Sequence, residues 1–174
     1  MNLKKFMIIF GCVLAAAILI ALIFLPGKDS SSTVTFYYAR SNFAYGEPNG
    51  AIGSEQRSVG GHEDDLNYLL ALYLEGPLDE NLSSPLPGKH YVRILDLSQK
   101  GDALHIKLSD LSSVMTDSQF TLASACLTKT CMGMHNVQAV QIDSGSRSIR
   151  MNHANLQFYD ESSSVVYEKT EERK

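Results

Sequence analysis

The chain has 174 residues, with 15 Lys and Arg against 19 Asp and Glu, a formal charge of −4 and no tryptophan. A pI near 5.7, with no Lys/Arg cluster in the outer part, leaves no basic patch of the kind nucleic-acid binding requires. With only three cysteines, one of them in the apolar N-terminal run, a disulfide-stapled fold is equally unsupported.

Lys4 and Lys5 precede Phe6 to Leu25, a run without charge that is almost wholly apolar. Twenty helical residues rise roughly 30 Å, about the hydrocarbon thickness of a bilayer, so the run predicts one retained membrane span. Pro26-Gly27-Lys28 closes it. The lysines ahead of the span place the N-terminus in the cytoplasm and the rest outside. Two other fates compete. A cleaved signal would show small residues at its exit, where Ile23, Phe24 and Leu25 stand. A lipoprotein signal is suggested by Ile9-Phe10-Gly11-Cys12, yet most of the apolar run follows Cys12. The expected organisation is an anchor over 1–27, a tether over 28–32, one extracytoplasmic domain over 33–160 and a charged tail over 161–174 that frays.

Thr33 to Ala39 is rich in β-branched and aromatic residues and predicts a strand. A turn region follows over Asn42 to Gly53, and Ala51 to Val59 is a weaker partner strand. Glu63 to Glu75 predicts a helix with Glu63, Asp64 and Asp65 in its first turn, where the macrodipole favours negative charge. Leu66, Leu69, Leu70 and Tyr73 form its core stripe. Gly76 suits a left-handed C′ position and Pro77 forbids continuation. Tyr91 to Leu97 and Ala103 to Leu108 predict a hairpin turning at Gln99 to Asp102, with Leu104, Ile106 and Leu108 buried against wet His105 and Lys107. Thr116 and Gln119 make a capping box for a helix over Asp117 to Met132, which buries Phe120, Ala123, Leu127 and Cys131 and stops at Gly133. Cys126 and Cys131 stand about 140° apart on that helix, so they read as two small buried hydrophobes. Val137 to Ile142 is a further strand, and Ile149 to Tyr159 adds a last strand or a cover. The class is α+β: a β-hairpin followed by αββαβ, one small mixed sheet with two helices on one face.

A catalytic constellation is hard to assemble. His62-Glu63-Asp64-Asp65 is the densest ionisable cluster, and a solvated, acid-rich helix start explains it better than a metal site. Zinc spacings are absent. His90, His105, His135 and His153 read as solvated. Ser83 and Ser84 have no adjacent base, G-x-S-x-G does not occur, and Gly46 to Gly53 lacks the Lys-Ser/Thr of a phosphate loop. Asn81-Leu82-Ser83 fits a glycosylation sequon, a short match of high chance rate. Neither catalytic residues, a cofactor nor a metal is expected.

Leu74-Glu75-Gly76-Pro77, then Leu82-Ser83-Ser84-Pro85-Leu86-Pro87-Gly88, then Val92 to Leu97, Ala103 to Leu108 and Leu111, resemble the GerMN domain of bacterial sporulation and spore germination proteins. Val34 to Tyr38, the later helix and Val137 to Ile142 extend the resemblance over about Val34 to Asp143. One departure is Ala125-Cys126-Leu127-Thr128, where the family usually shows Thr-Leu-Thr. The resemblance implies that Leu74, Gly76, Pro77, Leu82, Pro85, Pro87 and Gly88 are structural. It also implies a non-catalytic module, related to ring-building domains that pack side by side, held outside the cell membrane by a span or a lipid. Its expected partners are envelope or sporulation proteins, with a homo-oligomer among the options. The competing readings are a cell-wall hydrolase or its accessory, and a peptidoglycan-fragment binder using Tyr37, Tyr38, Phe43 and Tyr45.

Overall fold

The computed structural model describes residues 32–42, 50–134 and 137–156. Phe6 to Leu25, Phe43, Tyr45, His135 and the tail lie outside the described residues. No helix among the described residues is long and apolar enough to cross a membrane.

The order of elements is β1 (Thr33–Arg40), β2 (Ile52–Ser58), α1 (Leu66–Leu74), β3 (Leu82–Ser83), β4 (Ile94–Lys100), β5 (Ala103–Leu108), α2 (Asp117–Met132), β6 (Ala139–Ser144), β7 (Arg147–Asn152) and α3 (His153–Leu156). The class is α+β, but there are two sheets where one was expected. The first is three-stranded in the order β2-β1-β3, and the second four-stranded in the order β4-β5-β6-β7. In the second, β5 and β6 run parallel across the α2 connection, while β4-β5 and β6-β7 are antiparallel.

A side chain explains part of the break between sheets. On the β3 side, β1 is paired only at Ala39 and Arg40. Further along that strand, the Tyr37 N–H donates to Thr130 Oγ1 at 2.9 Å, and Thr130 in turn donates to the Cys126 carbonyl at 3.0 Å. A helix thus supplies the acceptor that another strand would have supplied, and pairing cannot propagate there.

Helix α2 is buried on two faces for the same reason. Phe120, Ala123, Leu127 and Cys131 enter the main core as predicted, with Leu104, Ile106, Val140 and Ile142 of the second sheet and Phe36, Tyr38, Leu69, Leu70 and Tyr73. Ala125 and Cys126 join a smaller cluster with Ala51, Ile52, Met151 and Leu156. Ser124, Thr128 and Thr130 are buried as well. Small side chains let the helix lie close to β1 without a broad apolar surface of its own. Cys126 and Cys131 are free and buried, and burial pushes both thiols up to about 12. They are structural hydrophobes, not nucleophiles.

The starts of α1 and α2 are set by side chains. Thr116 and Gln119 form the reciprocal capping box at α2. Helix α1 begins three residues later than predicted, at Leu66, and no acid lies in its first turn. Asp65 is instead its N-cap, accepting from the N–H groups of Asn67 and Tyr68 at 3.1 Å each. Asp65 offers those orphan donors an acceptor only in an extended conformation, so the acidic run ends the loop and does not open the helix. Two strands also start late, β4 at Ile94 instead of Tyr91 and β6 at Ala139 instead of Val137.

Candidate functional site

The corner after α1 holds a dense buried polar cluster. Gly76 adopts φ +90° and its N–H bonds the Tyr73 carbonyl at 3.1 Å, closing the helix in a left-handed turn. Beneath it, Glu55 and Arg57 of β2 sit two residues apart and so share one strand face. Arg57 Nε and Nη2 meet Glu55 Oε1 at 2.6 and 2.5 Å, with the two side chains only 5% and 10% exposed. Arg57 also donates to the carbonyls of Leu72, at 3.3 Å, and Gly76. Glu55 accepts from the N–H groups of Leu78 and Asp79 at 3.0 Å each. Phe36 and Tyr38 lie under the guanidinium, 5.5 and 5.7 Å from ring centre to carbon.

This clamp gives the family-like residues their places. Leu74 is half-buried against the core, and Gly76 and Pro77 form the turn that Arg57 and Glu55 grip. Leu82 pairs with Arg40 and joins the core together with Leu86. Pro85 and Pro87 flank Leu86 and are half-buried, and the exposed Gly88 opens a turn closed by Tyr91 N–H at 2.8 Å. The geometry is that of a structural corner. Neither Arg57 nor Glu55 was picked out from the sequence, because β2 (Ile-Gly-Ser-Glu-Gln-Arg-Ser) shows no apolar alternation to mark an inward face.

Gly76→Val is expected to lower stability by at least about 1 kcal/mol. A Cβ at Gly76 would come no closer than 3.9 Å to Ser84 Cβ, so the cost is backbone strain and not collision. A thermal melt of the variant checks this; an unchanged midpoint would show that the positive φ does not limit stability.

At the other end of α1 the acidic run borders an open groove of about 570 Å³, lined by Gly61, His62, Asp64, Asp65, Leu66, Asn67, Leu97, Gln99 and Leu104. His62 stacks on Tyr68 with centroids 4.4 Å apart, and Glu63 accepts from the Ser32 hydroxyl at 2.7 Å. Among the described residues no three His, Cys, Asp or Glu side chains gather to hold a metal.

The solvent-facing side of the second sheet carries a hydrogen-bonded row that the sequence did not reveal. His105 does not stand alone in water: its Nε2 lies 2.7 Å from Asp143 Oδ2 on the neighbouring parallel strand. Asp143 Oδ1 accepts from Ser148 Oγ at 2.7 Å and from Gln141 Nε2 at 3.0 Å. Serine, histidine and aspartate are therefore together, but in the wrong order for nucleophilic catalysis. The serine hydroxyl donates to the carboxylate and not to the imidazole, so it has no base to take its proton.

Hydrogen bonds from Gln141, Ser148 and His105 lower the Asp143 carboxyl from 3.8 to about 2. A depressed folded value means stabilisation that is present above the unfolded value and lost as pH falls through the folded one. Asp143→Asn is therefore expected to lower stability above about pH 4, neutral pH included, and to flatten the acid limb of the pH–stability curve between about 4 and about 2, where variant and parent converge. Identical acid limbs for variant and parent would remove Asp143 from that transition.

Of the aromatic cluster, Tyr38 is fully buried and Tyr37 half-buried, with Lys129 Nζ 4.9 Å from its ring centre. Tyr38 thus serves the core and not an open binding surface. Asn81 of the sequon is exposed, its side chain and its N–H both bonded to Asp79 Oδ1 at 2.9 Å.

No family model and no curated protein matches the chain. Among solved structures it is similar to a candidate lipoprotein from Clostridium perfringens, at 18% identity over 73% of this chain and 92% of that one, with a TM-score of 0.44. It is also similar to the tandem GerMN domains of the sporulation protein GerM from Bacillus subtilis, at 10% identity over 66% of this chain and 39% of that one, again with a TM-score of 0.44.

Proposed function

We propose that the chain is a membrane-anchored, extracytoplasmic GerMN-like module that works by protein–protein association in the bacterial envelope during sporulation or spore germination, without catalysis of its own. The observation that carries this reading is the corner from Leu74 to Gly88, which resembles the domain's pattern and in which the apolar and turn residues serve the fold. Gly76 and Pro77 turn the chain, Leu82 and Leu86 fill the core, and the buried Arg57–Glu55 pair fixes the turn. The charge-free run from Phe6 to Leu25 is the proposed anchor.

A hydrolase reading draws on the His105–Asp143–Ser148 row, and the same experiment separates the two. The full chain carrying both His105→Gln and Asp143→Asn is to be expressed in the host in place of the parent. An association module keeps its cellular role with these two groups gone. An enzyme that used them would lose on the order of 10³-fold or more. Complete loss of function in a variant that folds and stays in the membrane would overturn the non-catalytic reading. Release of the parent chain from membranes with a new N-terminus after residue 25, or acylation at Cys12, would overturn the retained span.

A further inference from the structure

Strand β4 is one margin of the four-stranded sheet, and among the described residues no strand lies beyond it. The two-residue turn at Gly101 and Asp102 makes Lys100↔Ala103 the closing pair, so this pair and Ser98↔His105 exchange main-chain hydrogen bonds. Leu97 and Gln99 occupy the alternate positions, opposite Ile106 and Leu104. Their N–H and C=O groups therefore point away from β5, out of the sheet. A register shift between Ile94 and Asp96 interrupts the ladder further along, which keeps the open stretch short.

The same two residues line the groove at the start of α1. Leu66, Leu97 and Leu104 give that groove an apolar part. Its charged lining consists of Asp64 and Asp65 together with His62, and no Lys or Arg contributes. Asp65 is engaged as the helix cap, whereas Asp64 is exposed and makes no hydrogen bond or ion pair among the described residues. Open main-chain groups, an apolar strip and uncompensated negative charge thus adjoin along one edge.

We propose that this margin binds an extended, basic segment of a partner protein, which adds a strand to β4 and directs Lys or Arg side chains towards Asp64 and Asp65. Side chains of an added strand alternate between faces, so every second residue of the fitting segment faces the groove and is basic, and the residues between them face the other side of the sheet. Main-chain pairing at Leu97 and Gln99 holds the segment, and the carboxylates choose its charge. This rests on the association reading above and names the chemistry of the partner.

The probe is a fluorescent peptide of alternating Lys and Val, titrated into the purified full chain in detergent beside its Glu-Val counterpart. The Lys-Val peptide is expected to bind, to weaken as salt is raised, and to slow amide exchange at Leu97 and Gln99. Gln99→Pro removes an outward N–H and no bond to β5, so it should leave the melt nearly unchanged while weakening binding roughly tenfold. Asp64→Asn, at an exposed position, should weaken it by several-fold without touching the fold. Equal binding of the Glu-Val peptide, exchange protection elsewhere, or full affinity in both variants would overturn the proposal. A photo-crosslinking residue placed at position 99 or at 107 in host membranes distinguishes the two levels. Capture at 107 but not at 99 sinks the β4 site and leaves the association reading standing; capture at neither sinks both.

Discussion

Arg57→Ala is expected to lower the unfolding free energy by about 3–5 kcal/mol, the usual consequence of leaving a buried charge without its partner. The magnitude separates two views of this ion pair. An exposed pair contributes about 0–1 kcal/mol, but Arg57 and Glu55 are almost wholly shielded from water. Removing the guanidinium leaves the Glu55 carboxylate buried and deprives the carbonyls of Leu72 and Gly76 of a donor. It also uncovers the faces of Phe36 and Tyr38. Arg57→Lys keeps the charge without the planar fork, so it cannot serve Glu55 and two carbonyls together and should recover only part of the loss. The measurement is urea unfolding of the full chain and both variants. A change below about 1 kcal/mol for Arg57→Ala would mean that water reaches the pair and that the corner stands without it.

Legibility in the sequence followed the strength of the local signal. Helix α2 was readable to the residue because a capping box and a glycine bracket it. The corner was readable because Gly-Pro allows few other conformations. Leu104, Ile106 and Leu108 alternate cleanly with His105 and Lys107, so β5 and its buried face could be read directly. What failed depended on partners distant in sequence. The split into two sheets turns partly on Thr130 taking the Tyr37 N–H, 93 positions away. A threonine within a run of small residues announces no such role. The second buried face of α2 was hidden because Ser124, Thr128 and Thr130 are polar, and periodicity arguments look for apolar stripes.

The same limit applied to the candidate site. Asp143 and His105 lie 38 positions apart and meet only because β5 and β6 pair in parallel. The Arg57–Glu55 pair could have been suspected from its spacing, since residues i and i+2 share a strand face. Without apolar neighbours on β2, nothing said which face was inward. Asp65 was read as a favourable charge near the helix start, and it does act there, as the cap. The shift from first turn to cap matters for function, since it leaves Glu63 and Asp64 in the loop and Asp64 facing the groove beside β4.

Tyr73→Ala is expected to cost about 3–5 kcal/mol, whereas Tyr73→Phe should cost almost nothing. Tyr73 is completely buried, stacked on Tyr38 at 4.8 Å between ring centres and beside Phe36 at 6.4 Å. Its main chain is equally committed, accepting from the Tyr38 hydroxyl at 3.2 Å and from the Gly76 N–H. Truncation to Ala removes the ring that joins α1 to the first sheet and leaves a cavity that rigid strands on one side cannot fill. The hydroxyl is another matter. Among the described residues it has no hydrogen-bond partner, and burial raises its pKa well above the ordinary phenol value. Deleting an unpartnered buried hydroxyl relieves a desolvation cost, which offsets any lost packing. The two substitutions at one site therefore divide packing from polarity, read by denaturant midpoints of the full chain. If Tyr73→Phe costs more than about 1.5 kcal/mol, the hydroxyl is bonded, and a buried water between α1 and α2 becomes the first thing to look for.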